Sequence, residues 1–409
     1  MGSLIGLLPG QSLTLLVNGQ SLAISSNGRF QSPAGLPKGT PYTVTVGAQP
    51  AGQTCVVNNA SGTVGNSDAA GVHVSCAARP KYAYVANSGG GTVLQYTIGA
   101  TGVLKPMRSP AVATGKVPRS VAVSPSGLYA YVTNYGSGTV SQFTIGADGA
   151  LEPMDAPPVL AGTNPTSIAV DPSGRYVYVT NGGSGSVSQY AIGAGGALAP
   201  IGKRGLLAGN TPIFIAIDPS DEHAYVVNQG DNTVSQYAIS AGGALFPIGT
   251  STISTGAGPG SIAIDPTGQF AYVTNVGNNT VSQYAIGAGG ALAPMNPATV
   301  PTGSAPYAVS VDPSGKYAYV ANNAGDTISQ YTIGTGGALT PMSPPTVAAG
   351  NSPISITVDP SGKFVYVANN GSGTLSCFTI GAHGALSPMK PATAAAGRFP
   401  TSVTTTHGS

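Results

Sequence analysis

The sequence predicts an all-β protein, a seven-bladed β-propeller preceded by a small β-sandwich. The string "DPSGRYVYVTN" at residues 171–181 recurs with small changes every 47 residues. Each repeat contains four strand-like segments, and residues at the C terminus complete the first repeat. The Asn that closes the string recurs at Asn87, Asn134, Asn181, Asn228, Asn275, Asn322 and Asn369. Because a chemical site is normally needed only once, seven equal copies indicate that the string has a structural role in each repeat.

The first 78 residues do not share this period. Several segments alternate apolar and polar residues as strands do, namely "SLTLLV", "SLAIS", "YTVTV", "TCVV" and "GVHVSC". Between them, "SNGRF" predicts a hairpin and "PAGLPKGTPY" a loop. These features favour a small immunoglobulin-like sandwich at residues 1–78, followed by the propeller at residues 79–409.

One repeat shows the order of its strands. "PTSIAV" is a short apolar strand and "DPSG" is a turn, in which Asp accepts from the backbone, Pro presets φ and Gly tolerates a positive φ. "RYVYVT" and "SVSQYAI" are the second and third strands, rich in β-branched and aromatic residues. A weaker, Pro-interrupted fourth strand begins at "ALAPI". Four antiparallel strands in such a repeat are typical of a propeller blade.

A recurring Pro in the fourth strand indicates which strand lies outside. Pro cannot donate to a strand ladder, so it belongs at an edge, where it also discourages edge-to-edge aggregation. The fourth strand is therefore predicted at the rim and the first strand at the centre. The recurring positions are Pro106, Pro153, Pro200, Pro247, Pro294, Pro341 and Pro388.

The two ends of the repeat region predict how the ring closes. The first repeat begins at "KYAYVAN" and lacks its first strand. Residues 402–406 align with residues 355–359 one period earlier. We therefore expect residues 402–406 to pair beside residues 81–86 and to supply the innermost strand of the first blade.

Composition narrows the classes of function. Charged residues make up 7% of the chain, against roughly 25% in an ordinary soluble protein. The net charge of +2 argues against broad nucleic-acid binding, which needs a basic face. No apolar run reaches the roughly 18 residues of a membrane span. We expect neither a nucleic-acid partner nor a spanning segment.

The cysteines point to an oxidising compartment. Cys55 and Cys76 lie close together in the small predicted domain, which favours a disulfide. We therefore expect a secreted, extracellular, cell-surface or periplasmic protein, although the opening "MGSLIG" shows neither the basic region nor the long apolar stretch expected of a signal peptide. Cys377 stands where the other repeats have Gln, and we expect a free, buried thiol.

The strand endings carry a family resemblance. "YVTN" closes at Asn134, Asn181 and Asn275, and the other four repeats have "YVAN" or "YVVN". The region 81–406 resembles YVTN-type seven-bladed propellers, which are similar to the lactonase family that includes 6-phosphogluconolactonase-like proteins. These motifs specify a fold better than a function, because propellers host enzymes, adhesins and surface-layer proteins alike.

The resemblance implies a site at one mouth of the channel. In lactonase-type members a His commonly follows the Pro that opens the inner strand, and an acid often follows the closing Asn. The residues after the Pro are here Arg119, Thr166, Ile213, Gly260, Tyr307, Ile354 and Thr401. The residues after the Asn are Ser88, Tyr135, Gly182, Gln229, Val276, Asn323 and Asn370. Since neither set contains a His or an acid, no catalytic residue is predicted.

Cations near one crossing are the candidate ligand-binding residues. Lys116 and Arg119 flank the crossing from blade 1 to blade 2, and Arg398 lies on the crossing from blade 7 to blade 1. Together they predict an anion-binding patch, to which Tyr307 would add a stacking surface. The alternative is that these residues are solvated surface and loop residues.

The acidic residues predict no metal site. The Asp that opens each turn is explained by the turn itself, and "DEH" at residues 221–223 is expected to be a solvated turn. We expect no metal and no cofactor. The turn residues are Asp171, Asp218, Asp265, Asp312 and Asp359.

These observations leave three hypotheses for function. The first is a non-catalytic extracellular or cell-surface scaffold for binding or self-assembly. Its partner would be another copy of itself, as in a filament or surface layer, or a surface polymer or glycan. The low charge, the recurring Pro in the outer strands and the near-identical blades favour this scaffold hypothesis. The alternative is a lactone hydrolase acting at the channel mouth, and the second alternative is a carbohydrate-binding propeller. We expect no efficient lactone turnover.

Overall fold

The computed structural model describes residues 2–5, 7, 11–32, 35–48, 50, 53–65, 72–78, 81–202 and 205–406. In these ranges the regular structure is entirely β-strand, and none of it forms a helix that would cross a membrane. One compact unit lies within residues 1–80 and a second comprises Lys81–Thr406. Residues 79 and 80, where the predicted boundary falls, lie outside the described residues.

The small unit consists of two four-stranded sheets around one core. Its strands are β1 (Gly2–Ile5), β2 (Leu13–Val17), β3 (Gln20–Ile24), β4 (Gly28–Phe30), β5 (Pro41–Ala48), β6 (Gln53–Asn58), β7 (Ser61–Thr63) and β8 (Val72–Ala78). One sheet has the order β4-β1-β8-β6 and the other the order β3-β2-β5-β7. Leu4 and Val74 from the first sheet pack with Leu15 and Val44 from the second. The immunoglobulin-like relationship stays a prediction.

The disulfide lies between neighbouring strands of the first sheet. Cys55 of β6 is directly opposite Cys76 of β8, and the two buried side chains are bonded. Cys377 of the second unit is a free, buried thiol. Both arrangements agree with the sequence prediction.

The hairpin predicted at "SNGRF" is wrong. Strand β3 pairs with β2, whereas β4 pairs with β1 in the other sheet, so the chain crosses between sheets here. The Asn27 carboxamide accounts for the crossing, since it accepts from the Leu7 N–H at 2.8 Å and donates to the Leu7 carbonyl at 2.7 Å. The tight turn lies instead at Asn18 and Gly19, whose φ angles of 48° and 82° suit a two-residue hairpin.

The second unit contains seven four-stranded antiparallel sheets, which we call blades 1 to 7. Their inner strands are Pro400–Thr405, Pro118–Val123, Pro165–Val170, Pro212–Ile217, Pro259–Ile264, Pro306–Val311 and Pro353–Val358. Their second strands are Lys81–Asn87, Tyr129–Asn134, Tyr176–Asn181, His223–Asn228, Phe270–Asn275, Tyr317–Asn322 and Phe364–Asn369. Their third strands are Thr92–Ile98, Thr139–Ile145, Ser186–Ile192, Thr233–Ile239, Thr280–Ile286, Thr327–Ile333 and Thr374–Ile380.

The outer strands carry the recurring Pro, as predicted. They are Leu104–Ala113, Leu151–Pro153 with Val159–Leu160, Leu198–Pro200 with Leu206–Leu207, Leu245–Ser254, Leu292–Pro301, Leu339–Ala348 and Leu386–Ala395. In blades 2 and 3 the outer strand is thus divided into two short pieces, both paired to the third strand.

The predicted closure of blade 1 is confirmed. Its inner strand, Pro400–Thr405, runs antiparallel to Lys81–Asn87, with Ser402 opposite Ala86. Backbone N–H groups of two inner strands donate to serine hydroxyls of the preceding blade, Val403 to Ser355 at 3.2 Å and Val121 to Ser402 at 3.5 Å. The C-terminal strand therefore lies between the inner strands of blades 7 and 2.

The Tyr of each "YVTN"-type string joins its blade to the next one. Its buried hydroxyl donates to the carbonyl of a turn Gly at 2.6–2.8 Å. Burial raises the pKa of these phenols well above the usual value, so the hydroxyls remain protonated donors. The donors are Tyr84, Tyr131, Tyr178, Tyr225, Tyr272, Tyr319 and Tyr366. The repeated string is thus an interblade connection.

Candidate functional site

The seven inner strands all begin at the same end of the central channel. In every blade the residue before the inner-strand Pro has a positive φ, between 50° and 59°. Two of these residues are Val117 and Phe399, for which such a φ is sterically unfavourable. The residues just after the Pro form what we call the mouth ring: Arg119, Thr166, Ile213, Gly260, Tyr307, Ile354 and Thr401.

A cavity of about 200 Å³ occupies this end of the channel. Its lining comprises the whole mouth ring and the first residues that follow in each inner strand. Within the described part of the chain, this lining contains no His, Lys, carboxylate or carboxamide side chain, and Arg119 is its one charged residue. A ligand here would therefore meet a positive charge.

Arg119 and Tyr307 are bonded across the cavity, and we call them the mouth pair. The Arg119 guanidinium in blade 2 donates from Nη2 to the Tyr307 hydroxyl oxygen in blade 6 at 3.1 Å. The guanidinium carbon also lies 6.0 Å from the centre of the Tyr135 ring, within range of a cation–π contact. Because the Tyr307 oxygen acts as acceptor, its O–H remains able to donate to a ligand.

Most other hydroxyls of the cavity have structural partners. Thr166 and Thr401 donate to the carbonyl of the inner-strand Pro in the next blade, at 2.9 Å and 3.1 Å. Ser261 and Ser355 accept backbone N–H groups from the next blade, at 2.9 Å and 3.2 Å. These bonds hold neighbouring inner strands together. The serine hydroxyls that accept remain able to donate to a ligand, as Tyr307 does, and the mouth pair differs from them in carrying the one charged group of the described lining.

Of the four predicted ligand residues, two line the cavity and two lie outside it. Arg119 and Tyr307 line the cavity together, as half-buried side chains. Lys116 and Arg398 are exposed on their crossings and do not line it. The Arg398 guanidinium carbon instead lies 5.8 Å from the centre of the Phe399 ring. The hydrogen bond between Arg119 and Tyr307 could not be predicted from the sequence, because it depends on how the ring places blades 2 and 6 across the cavity from each other.

The solvated turn predicted at residues 221–223 is wrong for His223. Its side chain is 12% exposed, with Nδ1 2.9 Å from Asp218 Oδ2. In each of the other six blades this position holds Tyr or Phe. Each of these rings packs on a turn Gly of the next blade, as His223 does on Gly290. Burial by itself would raise the pKa of Asp218, but bonds from Ser220 and His223 lower it overall. His223 is therefore an interblade packing residue.

The Asp residues that open the turns also have structural partners. Asp265 Oδ1, for example, accepts the backbone N–H groups of Gln269 and Phe270 at 2.8 Å and 2.7 Å. Among the described residues, no three His, Cys, Asp or Glu side chains come together as metal ligands would. The channel mouth is therefore the better candidate site.

Fold and site together define a β-propeller with a small, positively charged cavity at one end of its channel. The chain belongs to the family of lactonases with a seven-bladed β-propeller, whose family model matches residues 41–256 and 249–408. No curated protein sequence matches the chain.

Several solved structures are similar to this chain. The periplasmic gluconolactonase of Pseudomonas aeruginosa is 20% identical, with 80% of this chain and 99% of that chain covered and a TM-score of 0.67. A protein provisionally named 6-phosphogluconolactonase from Bacteroides fragilis is also 20% identical, covering 80% and 98% with a TM-score of 0.69. Its counterpart from Bacteroides uniformis is 18% identical, covering 80% and 99% with a TM-score of 0.70. At these identities the likeness concerns the fold alone.

Proposed function

We propose that this protein binds and hydrolyses a lactone at the channel mouth, with the mouth pair holding the carbonyl oxygen. The observation that carries the proposal is the bond between Arg119 and Tyr307 inside a cavity whose described lining has no other charged group. Membership of the lactonase family supports lactone chemistry.

The mouth pair is suited to stabilising negative charge on oxygen. In lactone hydrolysis, water oxygen bonds to the carbonyl carbon and the carbonyl oxygen becomes an oxyanion. The ring C–O bond then breaks, a proton from the water passes to the former ring oxygen, and a hydroxycarboxylate and a proton result. The free O–H of Tyr307 and the remaining N–H groups of Arg119 are donors for the oxyanion. The same donors would bind the carboxylate product.

Water activation limits the rate expected here. A general base of the usual kind is a His or a carboxylate, and the described lining of the cavity contains neither. Catalysis would then rest on activation of the carbonyl group alone. This observation favours a second candidate function, in which the mouth binds an anionic hydroxy acid without turnover.

The scaffold hypothesis from the sequence receives less support than its lactonase alternative. Family membership fits a hydrolase or a binder of lactone-derived acids better than a filament or surface-layer protein. Self-association and binding to a surface polymer stay predictions.

Export is part of the proposal. The Cys55–Cys76 disulfide suits an oxidising compartment. The similar gluconolactonase of Pseudomonas aeruginosa is periplasmic. We propose that this chain also works outside the cytoplasm.

The test is lactone hydrolysis by the full chain, followed by acid release at constant pH. Arg119→Met and Tyr307→Phe should each lower kcat by about 10²-fold, as loss of an oxyanion donor does elsewhere. Arg398→Met is the matched control, because it removes an exposed cation that does not line the cavity, and should leave the rate unchanged. Saturable binding of hydroxy acids without hydrolysis would favour the second candidate. Equal activity of wild type and Arg119→Met would refute the assignment of the site.

A further inference from the structure

The charges around the cavity are unevenly distributed. The end of the propeller that surrounds it, which we call the mouth face, consists of the seven crossings between blades and the seven turns that link second to third strands. All of these segments belong to the described residues, and their charged side chains are Lys116, Arg398, Asp231 and Asp326. The cations lie on the crossings that leave and enter blade 1, whereas the acids lie on turns of blades 4 and 6. The mouth face is therefore positive at blade 1.

The acids of the mouth face are engaged in local bonds, whereas its cations are exposed. Asp231 accepts the Asn210 N–H at 2.6 Å, and Asp326 accepts the Ser352 N–H at 2.8 Å. In the ranges that the structure describes, neither cation lies within ion-pair distance of a carboxylate. Their charge is therefore available to a partner.

Exposed apolar side chains accompany both cations. Val117 follows Lys116 and is 42% exposed. Phe399 follows Arg398 and is 49% exposed. Tyr135 is 38% exposed and lies beside Val117, whose carbonyl accepts its N–H at 2.9 Å. The other five crossings have Asn164, Thr211, Gly258, Ala305 and Ser352 at the position of Val117 and Phe399.

The backbone makes Val117 and Phe399 costly at this position. All seven residues that precede an inner-strand Pro have a positive φ, which Asn and Gly adopt more readily than a β-branched or bulky residue. Since both side chains are exposed, packing within the propeller offsets little of this strain. Strained residues persist where function requires them, and neighbouring exposed apolar groups mark contact surfaces. Val117 and Phe399 therefore point to a partner outside the chain.

We propose that this part of the mouth face binds an anionic lipid surface, independently of the proposed lactone hydrolysis. The docking patch comprises Lys116, Val117, Tyr135, Arg398 and Phe399. Its two crossings are neighbours, since a hydrogen bond of 3.1 Å links the inner strands that follow them. The cations would lie at lipid phosphates, and the apolar groups would enter the boundary between headgroups and hydrocarbon. An anionic polysaccharide would pair with the cations but would leave Val117 and Phe399 without hydrocarbon contacts.

Sedimentation of vesicles with the full chain tests the proposal. At about 0.1 M salt, the protein should bind vesicles of phosphatidylglycerol and phosphatidylcholine in equal parts, and not vesicles of phosphatidylcholine alone. Binding should weaken as salt is raised, because the charges are then screened. Absence of binding to the anionic vesicles would overturn the proposal.

Removal of the charges should weaken this binding. Lys116→Gln with Arg398→Gln should lower the vesicle partition coefficient about 25-fold, because each cation near an anionic surface contributes about fivefold. Lys316→Gln with Lys363→Gln is the matched control, since it removes the same charge from exposed turns outside the mouth face. This control should retain most of the binding.

Val117→Asn with Phe399→Asn tests the apolar contacts separately. Asn occupies the same position in blade 3 and suits a positive φ, so this variant should fold at least as well as wild type. Its vesicle binding should fall at least about tenfold, because each methylene group that leaves water contributes about fourfold. Leu160→Asn with Leu207→Asn, at positions 80% and 77% exposed on outer strands, is the control and should bind as wild type does.

A fluorescent residue locates the contact. The chain contains no Trp, so Phe399→Trp introduces a single reporter. Its emission should shift to shorter wavelength with anionic vesicles, because the indole ring leaves water. Leu207→Trp should show no shift, and a shift at this position alone would overturn the docking patch.

Alginate, a soluble carboxylated polysaccharide, distinguishes the alternative partner. Tighter binding to alginate than to vesicles, lost in the double Gln variant at Lys116 and Arg398 but retained in the double Asn variant, would overturn the lipid partner in favour of a glycan. Vesicle binding unchanged in the folded double Asn variant would overturn the role of the apolar groups. Because lactone hydrolysis is measured without vesicles, either proposal can fail alone.

Discussion

The junction between blades 7 and 1 differs from the other six interblade junctions. In those six, a Gln side chain of the third strand accepts the N–H of the first outer-strand Leu in the next blade, at 2.6–2.7 Å. Cys377 takes the place of Gln at the seventh junction, and its thiol lies 3.9 Å from the Leu375 carbonyl of its own blade. The regular polar connection is therefore missing where the chain closes on itself.

The closing Asn of blade 1 is also less well bonded than its counterparts. In blade 2, Asn134 accepts the Gly115 N–H at 3.0 Å and donates to two hydroxyls of the third strand. In blade 1, Leu94 replaces the serine, and the amide of Asn87 reaches one hydroxyl, that of Thr92, at 3.4 Å. The buried Asn87 Oδ1 has no hydrogen-bond partner among the described residues.

Other contacts compensate at this junction. Lys81 of blade 1 lies 3.0 Å from the buried carboxylate of Asp359 in blade 7, and Tyr366 donates to the Gly102 carbonyl as in the other blades. Burial by itself would raise the pKa of Asp359, but the Ser361 hydroxyl and Lys81 lower it overall. Closure of the ring therefore depends on the C-terminal strand and on one ion pair more than on the repeated polar contacts.

Removal of the C-terminal strand should have the largest effect. Deleting residues 400–409 removes the inner strand of blade 1 and exposes the edge of Lys81–Asn87. The free energy of unfolding of the propeller should fall by more than about 4 kcal/mol, beyond most single substitutions. Denaturant unfolding measures it, with deletion of residues 407–409 alone as control. A propeller transition unchanged by the longer deletion would contradict the closure.

Loss of the ion pair should have the next largest effect. Lys81→Met leaves the Asp359 carboxylate buried without its cation, which should cost about 3 kcal/mol at pH 7. Lys316→Met is the matched control, because Lys316 is exposed at the equivalent position of blade 6. Equal effects of the two substitutions would show that the pair contributes nothing to closure.

The pH dependence of this effect has a definite sign. The pKa of Asp359 is lower in the folded protein than its usual value, so its contribution to stability is present above the unfolded pKa of about 3.9. That contribution is lost as the pH falls through the folded pKa. The difference between wild type and Lys81→Met should therefore narrow below about pH 4. A difference that widens with acid would contradict the assignment.

The sequence predicted the propeller more completely than the small unit or the site. Alignment of the repeated copies shows which residues are equivalent in each blade. The strand order, the outer position of the recurring Pro and the closing role of the C-terminal strand could therefore be predicted. The small unit has no copies, and the Asn27 bonds to Leu7 that direct its crossing are long-range. Both members of the mouth pair were candidates, but their bond depends on distances across the ring, which a repeat pattern does not contain.

Substitution of the closing Asn should distinguish blade 1 from blade 2. Asn134→Ala leaves the Gly115 N–H and two hydroxyls without their partner, and should cost about 2 kcal/mol. Asn87→Ala removes a single long bond and an unpaired oxygen, and should cost less than about 1 kcal/mol. Denaturant midpoints of the two variants test the difference, and a larger loss at Asn87 would reverse the comparison.

The smallest difference should appear at the position of the interblade Gln. Gln283→Met keeps a long side chain in blade 5 but leaves the Leu339 N–H and the Pro297 carbonyl without partners, at a cost of about 1.5 kcal/mol. Cys377→Ala removes no interblade hydrogen bond and should cost less than about 1 kcal/mol, mainly from lost packing.

Burial raises the pKa of Cys377 to about 12, so the folded wild type should also resist alkylation at pH 8. If Cys377→Ala destabilised the propeller more than Gln283→Met, the thiol would contribute to closure in a way that its contacts do not explain.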